Sequence, residues 1–262
     1  MATVNGILMM IDRLAPFKTA ESWDNVGLLV GDQNATVNGI LLALDVTEEV
    51  ITEALLGPYN LIITHHPIIF GGIKSVTTSD RTGRLLLKLI ENGVSVIAAH
   101  TNWDRSFEYG INRHIANLYG LKDVKMLNED HGFGIIGSFD TPISIEAFSG
   151  KSKAIFKTDY IKFSNLHPRP IKNVSISSGA SSDFISDAIR SGADLYVTAD
   201  LKYHEAQSVI GTALTLVDVG HFESEFLYLE RFKDLLEESL SGENLHMPIS
   251  VTKAEKPVFQ YL

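Results

Sequence analysis

The chain has 262 residues, 45% of them hydrophobic and 21% charged, which is enough for one or two domains with substantial cores. It contains no cysteine, so disulfides, iron–sulfur clusters, thiol nucleophiles and Cys-ligated zinc are excluded, and any metal site must be built from His, Asp and Glu. A formal net charge of −10 argues against nucleic acid as a partner, no apolar run approaches the roughly 20 residues that span a bilayer, and MATVNGILMMIDRLAPF lacks the basic start and cleavage site of a signal peptide, so a cytoplasmic location is expected.

In chain order, residues 3–14 carry apolar side chains at helical spacing before Pro16. WDNVGLLVGD (23–32) reads as a short strand closed by a Gly turn, and NGILLALDV (38–46) as a buried strand. TEEVITEALL (47–56) starts with a capping Thr and two acids, which predicts a helix. NLIIT (60–64) is a continuous apolar run, typical of a strand covered on both faces. A helix is expected over 81–92 and a strand over VSVIAAH (94–100). This alternation predicts α/β layers with parallel pairing.

Residues 126–173 break the rhythm with Gly and Pro turns, and predict short strands and a short helix. The alternation then resumes: strand 173–179, capped helix 181–192, strand 193–200, helix 204–211, strand 215–221, one long amphipathic helix over 223–240 and a last strand over 248–254. LLALDVTEEVITEALLGPYNLIIT and VSISSGASSDFISDAIRSGADLYVT share strand, capped helix and strand, with Thr64 and Thr198 at matching strand ends. The next strand ends in His100 in the first copy and in His221 in the second. That pattern predicts two related α/β units, although any two βαβ units resemble each other.

Ligands of open α/β sheets sit beyond the carboxyl ends of the strands. His65, His66, His100, Asp104 and His221 all fall at or just after such ends. His65 and His66 can serve one site only if the strand has ended, because adjacent strand residues face opposite ways; Pro67 keeps His66 out of the helical region. Asp104, four residues after His100, suits either a bridging carboxylate or the cap of a helix in RSFEYGINRHIANLYG. His221 and Glu225 share a face if a helix begins at His221, which would leave Glu223 toward solvent; such a pair is also common on exposed helices.

These residues give a nitrogen and oxygen donor set suited to Zn, Mn, Fe or Co at a two-metal site, and to hydrolysis. In TADLKYHEA (198–206), Asp200, Lys202 and His204 suit supporting or substrate contacts, or a solvated helix start. SSGASS (177–182) could hold an anion at a helix start or be an ordinary turn. There is no G-x-S-x-G elbow and no phosphate-binding loop with its Lys.

ESWDNVGLLVG, LIITHHPIIF, AAHTNWD, ADLYVTADLKYHEA and DVGHFESE together resemble the NGG-interacting-factor-like family, whose bacterial members are known as GTP cyclohydrolase I type 2 homologues. The resemblance runs along nearly the whole chain and implies a short form without an inserted domain. It implies two related α/β units with sheets flanked by helices and a metal site at their interface, the first unit being 1–126 with 226–262 and the second 127–225. It maps a dinuclear site onto His65, His66, Asp104, His221 and Glu225; His100 and His204 are supporting candidates from their place at the strand ends alone. It implies a ring-like homohexamer and a metal-dependent hydrolase that opens the ring of a guanine nucleotide; a non-catalytic metal-handling or scaffold protein is the alternative. The family usually has Gly where this chain has Ala199, which makes the backbone there the point to check.

Overall fold

The computed structural model describes residues 1–260. The chain begins with α1 (Val4–Leu14), β1 (Gly27–Val30), β2 (Ile40–Ala43), α2 (Glu48–Leu56), β3 (Leu61–Thr64), α3 (Arg81–Glu91), β4 (Ser95–Ala98) and the single turn α4 (Thr101–Asp104). It continues with α5 (Ile111–Tyr119), β5 (Lys122–Asn128), β6 (Phe133–Ile143), α6 (Ile145–Phe156), β7 (Lys162–Ser164), β8 (Ile171–Ile176), α7 (Ile185–Arg190), β9 (Leu195–Thr198), α8 (Tyr203–Gln207), β10 (Thr215–Asp218) and α9 (His221–Phe226). It closes with α10 (Leu229–Gly242) and β11 (Ile249–Val251). Helix starts follow the side chains: Thr3, Thr47, Asp80 and Ser144 each accept a hydrogen bond from a first-turn N–H. No helix among the described residues is long and apolar enough to cross a membrane.

The elements divide into two units, Met1–Trp103 with Leu229–Leu262, and Asp104–Tyr228. In the first, the sheet order is β1-β4-β3-β2-β11, parallel except for β1 at the edge. Every residue of β2, β3 and β4 is buried, as the continuous apolar runs require. Leu41, Ala43, Ile62 and Val96 pack on Val50 and Ile51 of α2 and on Leu85, Leu86 and Leu89 of α3, each large side chain adding roughly 1.5–3 kcal/mol. Helix α10 packs on β2 and β11, and α1 on α10.

In the second unit the order is β5-β6-β8-β9-β10-β7, with β8, β9 and β10 parallel and the other three strands antiparallel to their neighbours. Tyr196, Leu216 and Ile136 pack against Ile185, Ala188 and Val209. On α5 and α6, Tyr119 and Phe148 stack with ring centroids 5.1 Å apart.

The duplication expected from sequence has a topological counterpart. In each unit an antiparallel strand precedes three parallel strands joined by helices, and that strand pairs with the last of the three: β1 with β4, β7 with β10. Thr64 and Thr198 are equivalent, since Ala99 N–H donates to the Thr64 carbonyl as Val219 N–H does to that of Thr198. The same register puts His100 opposite Gly220 and Thr101 opposite His221, so His100 and His221 are not counterparts. The scaffold repeats; the candidate ligands do not.

Two elements differ from expectation. The helix anticipated over 223–240 is two helices, interrupted at Leu227–Tyr228. Helical propensity is high throughout, but tertiary contacts override it. Tyr228 is buried, its hydroxyl donates to the Tyr109 carbonyl, and its ring lies edge-on to His114. Just beyond, Phe232 packs on Trp103 at 4.3 Å in the other unit's core. Within 126–173, β6 runs for eleven residues and α6 for twelve, longer than the short pieces expected. Gly134 and Gly137 read as turn residues, yet they lie inside a strand flanked by both β5 and β8.

Candidate metal centre

In the first unit β3 ends at Thr64, whose hydroxyl donates to the His66 carbonyl and turns the backbone there. With the strand pleat ended, the His65 and His66 rings lie 5.2 Å apart, and His100, just past β4, sits 5.0 Å from His65 and 5.6 Å from His66. Ligand-type atoms of these three residues lie within 4.8 Å of one another, a group that could hold a metal ion.

Each ring is turned by its Nδ1. His65 Nδ1 is 3.0 Å from the Ala99 carbonyl, His66 Nδ1 is 3.1 Å from Asp45 Oδ2, and His100 Nδ1 is 3.0 Å from Asp24 Oδ1. Carbonyl and carboxylate oxygens only accept, so the proton sits on Nδ1 and the neutral ring keeps its lone pair on Nε2. In this tautomer Nε2 is the nitrogen that can ligate a cation. Beside the trio, Glu255 accepts from the N–H groups of Leu44 and Asp45, both at 2.8 Å; burial, with the charge of Asp45, pushes its carboxyl up to about 7.

Asp24 is the firmest of these supports. Its side chain is fully buried and also accepts from the Thr101 N–H and hydroxyl. Burial alone would raise its pKa, but the hydrogen bonds from His100 and Thr101 outweigh it and hold the group at about 2, against an ordinary 3.8. Because the folded value is the lower one, the stabilisation is complete above about pH 4 and disappears as pH falls from about 4 to about 2. In metal-free protein, Asp24→Asn is expected to cost about 1–2 kcal/mol near neutral pH, with the gap to the parent closing toward pH 2 in acid-unfolding curves. A gap of constant size across that range would contradict the assignment.

In the second unit α9 begins at His221, as the spacing required, and His221 Nε2 approaches Glu225 Oε2 to 3.1 Å. Glu225 is buried. His221 Nδ1 is held at 2.7 Å by Asp200 Oδ2, which repeats the logic of the first unit. Asp200 takes a left-handed φ of +54°, which Asp tolerates better than most residues with a side chain. Ala199 needs no such backbone: it is buried and donates to the Gly179 carbonyl at 3.0 Å, so replacing Gly there leaves the turn intact. Gly179 has φ +63°, and a Cβ on it would stand 2.4 Å from Glu225 Oε1 and 3.5 Å from His221 Nε2. The missing side chain makes room for the carboxylate.

The remaining candidates fall as follows. Asp104 ends α4 half-buried and does not cap the next helix, which starts from Gly110. Glu223 is half-buried, folded back over Gly220, and not simply turned to solvent. His204 is exposed on α8 against Tyr203 and Gln207, and Asp200, not His204, supports His221. The SSGASS turn is no anion cradle: N–H groups of Ser177, Ser178, Gly179 and Ser181 are bound to Val197, Asn112, Ser224 and Thr198. Sequence reading missed Asp24, Asp45 and Gly179. Asp45 stands just past the end of β2, where the strand-end rule would have found it; Asp24 gave no comparable signal.

Comparison with known proteins supplies a family. The model described as Duf34/NIF3 (NGG1p interacting factor 3) matches residues 2–257. A Clostridium perfringens protein named GTP cyclohydrolase 1 type 2 homolog is 32% identical over 264 residues, covering 99% of each chain. A Staphylococcus aureus protein of the same name is 25% identical over an alignment of 364 positions covering 98% of this chain and 99% of that one, and so is the longer of the two. Among solved structures, S. aureus hypothetical protein SA1388 superposes with a TM-score of 0.92 at 29% identity, covering 99% of each chain. Reduced HcgD from Methanocaldococcus jannaschii gives 0.82 at 29% identity, covering 96% of this chain and 98% of that one.

Proposed function

Because the chain belongs to the Duf34/NIF3 (NGG1p interacting factor 3) family, we propose that His65, His66, Asp104, His221 and Glu225 hold two divalent cations and serve a metal-dependent hydrolase. The observation that carries this reading is the set of tethered imidazoles. In His65, His66, His100 and His221 the Nδ1 atom is engaged by an oxygen acceptor, which leaves Nε2 as the donor. One such ring is a common structural feature; four, all just past strand ends, are an arrangement prepared for ligation by His65, His66 and His221, with His100 beside the first two.

The donor set fits the group. Imidazole nitrogen and carboxylate oxygen without sulfur suit Zn, Mn, Fe or Co, and the space at Gly179 accommodates the Glu225 carboxylate. Bound there, the ions supply Lewis acidity and positive charge for hydrolysis. The protein's own part is to orient the rings through Asp24, Asp45, Asp200 and the Ala99 carbonyl, and to hold the Glu225 carboxylate buried beside Gly179. The relatives' name points to a guanine nucleotide as substrate, opened at a ring carbon of amidine character. The reading includes a ring-like homohexamer in the cytoplasm.

The test is direct. Protein loaded with Mn or Zn should release formate from GTP, and His65→Ala and Glu225→Ala should abolish the release. Absence of turnover across nucleotides and phosphoesters would refute hydrolysis. It would leave the second reading, a non-catalytic metal-handling or scaffold protein, which the family's description as an interacting factor favours.

A further inference from the structure

The segment Glu21-Ser22-Trp23-Asp24-Asn25 before β1 has a role in the first unit beyond supporting His100. Asp24 points inward to His100 and Thr101. Glu21 N–H donates to Thr101 Oγ1 at 2.9 Å, and Asn25 Nδ2 donates to the Ile69 carbonyl at 2.7 Å, tying this segment to the loop after His66. Held out by those anchors are two large aromatic side chains: Trp23, 56% exposed, and Phe70, 65% exposed. Their ring centroids are 5.7 Å apart with planes inclined at 50°, an open pair and not a closed stack. The Trp23 ring lies 6.1 Å from that of His100.

Scattered exposed apolar residues need no explanation. A pair of aromatics on a segment tethered by partly buried hydrogen bonds, at the rim of three imidazoles, is a different arrangement. Exposing both rings forfeits apolar burial, and the tethers to Thr101 and Ile69 keep them from collapsing onto the surface. What such faces recognise is another π-system: stacking tolerates variation in the ring and needs no polar contact.

We propose that Trp23 and Phe70 form the platform on which a planar conjugated ring of the substrate stacks beside His65, His66 and His100. This deepens the hydrolase reading and rests on it for the chemistry, but not for the binding. It assigns the substrate to the heteroaromatic class and sets aside simple aliphatic esters and peptides.

The chain has two tryptophans, so Trp103→Phe leaves Trp23 as the sole indole reporter. That protein, with and without Mn, is titrated with guanosine, which has the ring without phosphate, and with ribose 5-phosphate, which has phosphate without the ring. Guanosine should quench Trp23 fluorescence saturably, and ribose 5-phosphate should not. In equilibrium dialysis Trp23→Ala and Phe70→Ala should weaken guanosine about tenfold or more, Trp23→Phe should retain most affinity, and metal content should be unchanged. Equal affinity in the parent and Trp23→Ala, or no saturable quench, overturns the platform. So does a change in sedimentation of Trp23→Ala, which would mean that the pair packs against a second copy of the chain. Guanosine binding in a protein that takes up no metal sustains the platform and defeats the hydrolase reading; metal uptake without ring binding does the reverse.

Discussion

Stripping divalent cations with a chelator is expected to lower the melting temperature by about 10 °C. A cation present at a thousand times its dissociation constant adds about 4 kcal/mol to the state that binds it. A unit of this size shifts by about 2–4 °C per kcal/mol. The direction follows from the tethers: Asp45, Asp24 and Asp200 already hold the His66, His100 and His221 rings in the ligating tautomer, so the folded chain meets the ion prepared, whereas the unfolded chain does not. In a His65→Ala, Glu225→Gln double variant the chelator should have little effect. The metal-free double variant should lose the His65 contact to the Ala99 carbonyl, the packing of that buried ring on His66 and His100, and the His221–Glu225 approach, about 2–5 kcal/mol together. Scanning calorimetry on both proteins with and without chelator separates the terms, and identical parent curves in the two conditions would mean that no stabilising ion binds.

Most of what positions this site could be read from local pattern. Continuous apolar runs at 40–43, 61–64, 95–98 and 195–198 announce strands buried on both faces, and residues just past their ends inherit the sheet's ligand-facing edge. That logic found His65, His66 and His100, and the i,i+4 spacing found His221 with Glu225. It failed where a contact depends on distant chain. Asp24 meets His100 across 76 positions, and nothing in WDN alone says that the carboxylate turns inward while the indole stays out. The broken helix at Leu227–Tyr228 failed for a related reason: its residues all favour helix, and only the burial of Tyr228 among Tyr109 and His114 decides the break. Pairing His100 with His221 was a register error of one residue, visible only once Thr64 and Thr198 could be aligned through their hydrogen bonds.

Gly179→Ala should cost metal affinity as well as stability. Two effects meet at this position. A side chain at φ +63° is strained by about 1–2 kcal/mol whatever surrounds it. The new methyl would also stand 2.4 Å from Glu225 Oε1, and that carboxylate must move. Glu225 is buried, so its carboxylate cannot swing freely into water, and any shift alters its 3.1 Å approach to His221 Nε2. Gly192 provides the control within the same unit: its φ is +72°, yet nothing lies within 4 Å of where its Cβ would be. Gly192→Ala therefore carries the backbone strain without the displaced ligand. In the metal-free state Gly192→Ala should lose about 1–2 kcal/mol relative to the parent, and Gly179→Ala more than that because the buried Glu225 carboxylate must also shift. In calorimetric titrations with Zn or Mn, only Gly179→Ala should bind more weakly, by about tenfold or more. Equal affinity in the two alanine variants would mean that Glu225 does not contact the ion, and the donor set would then lose its only carboxylate from the second unit's strand-end helix.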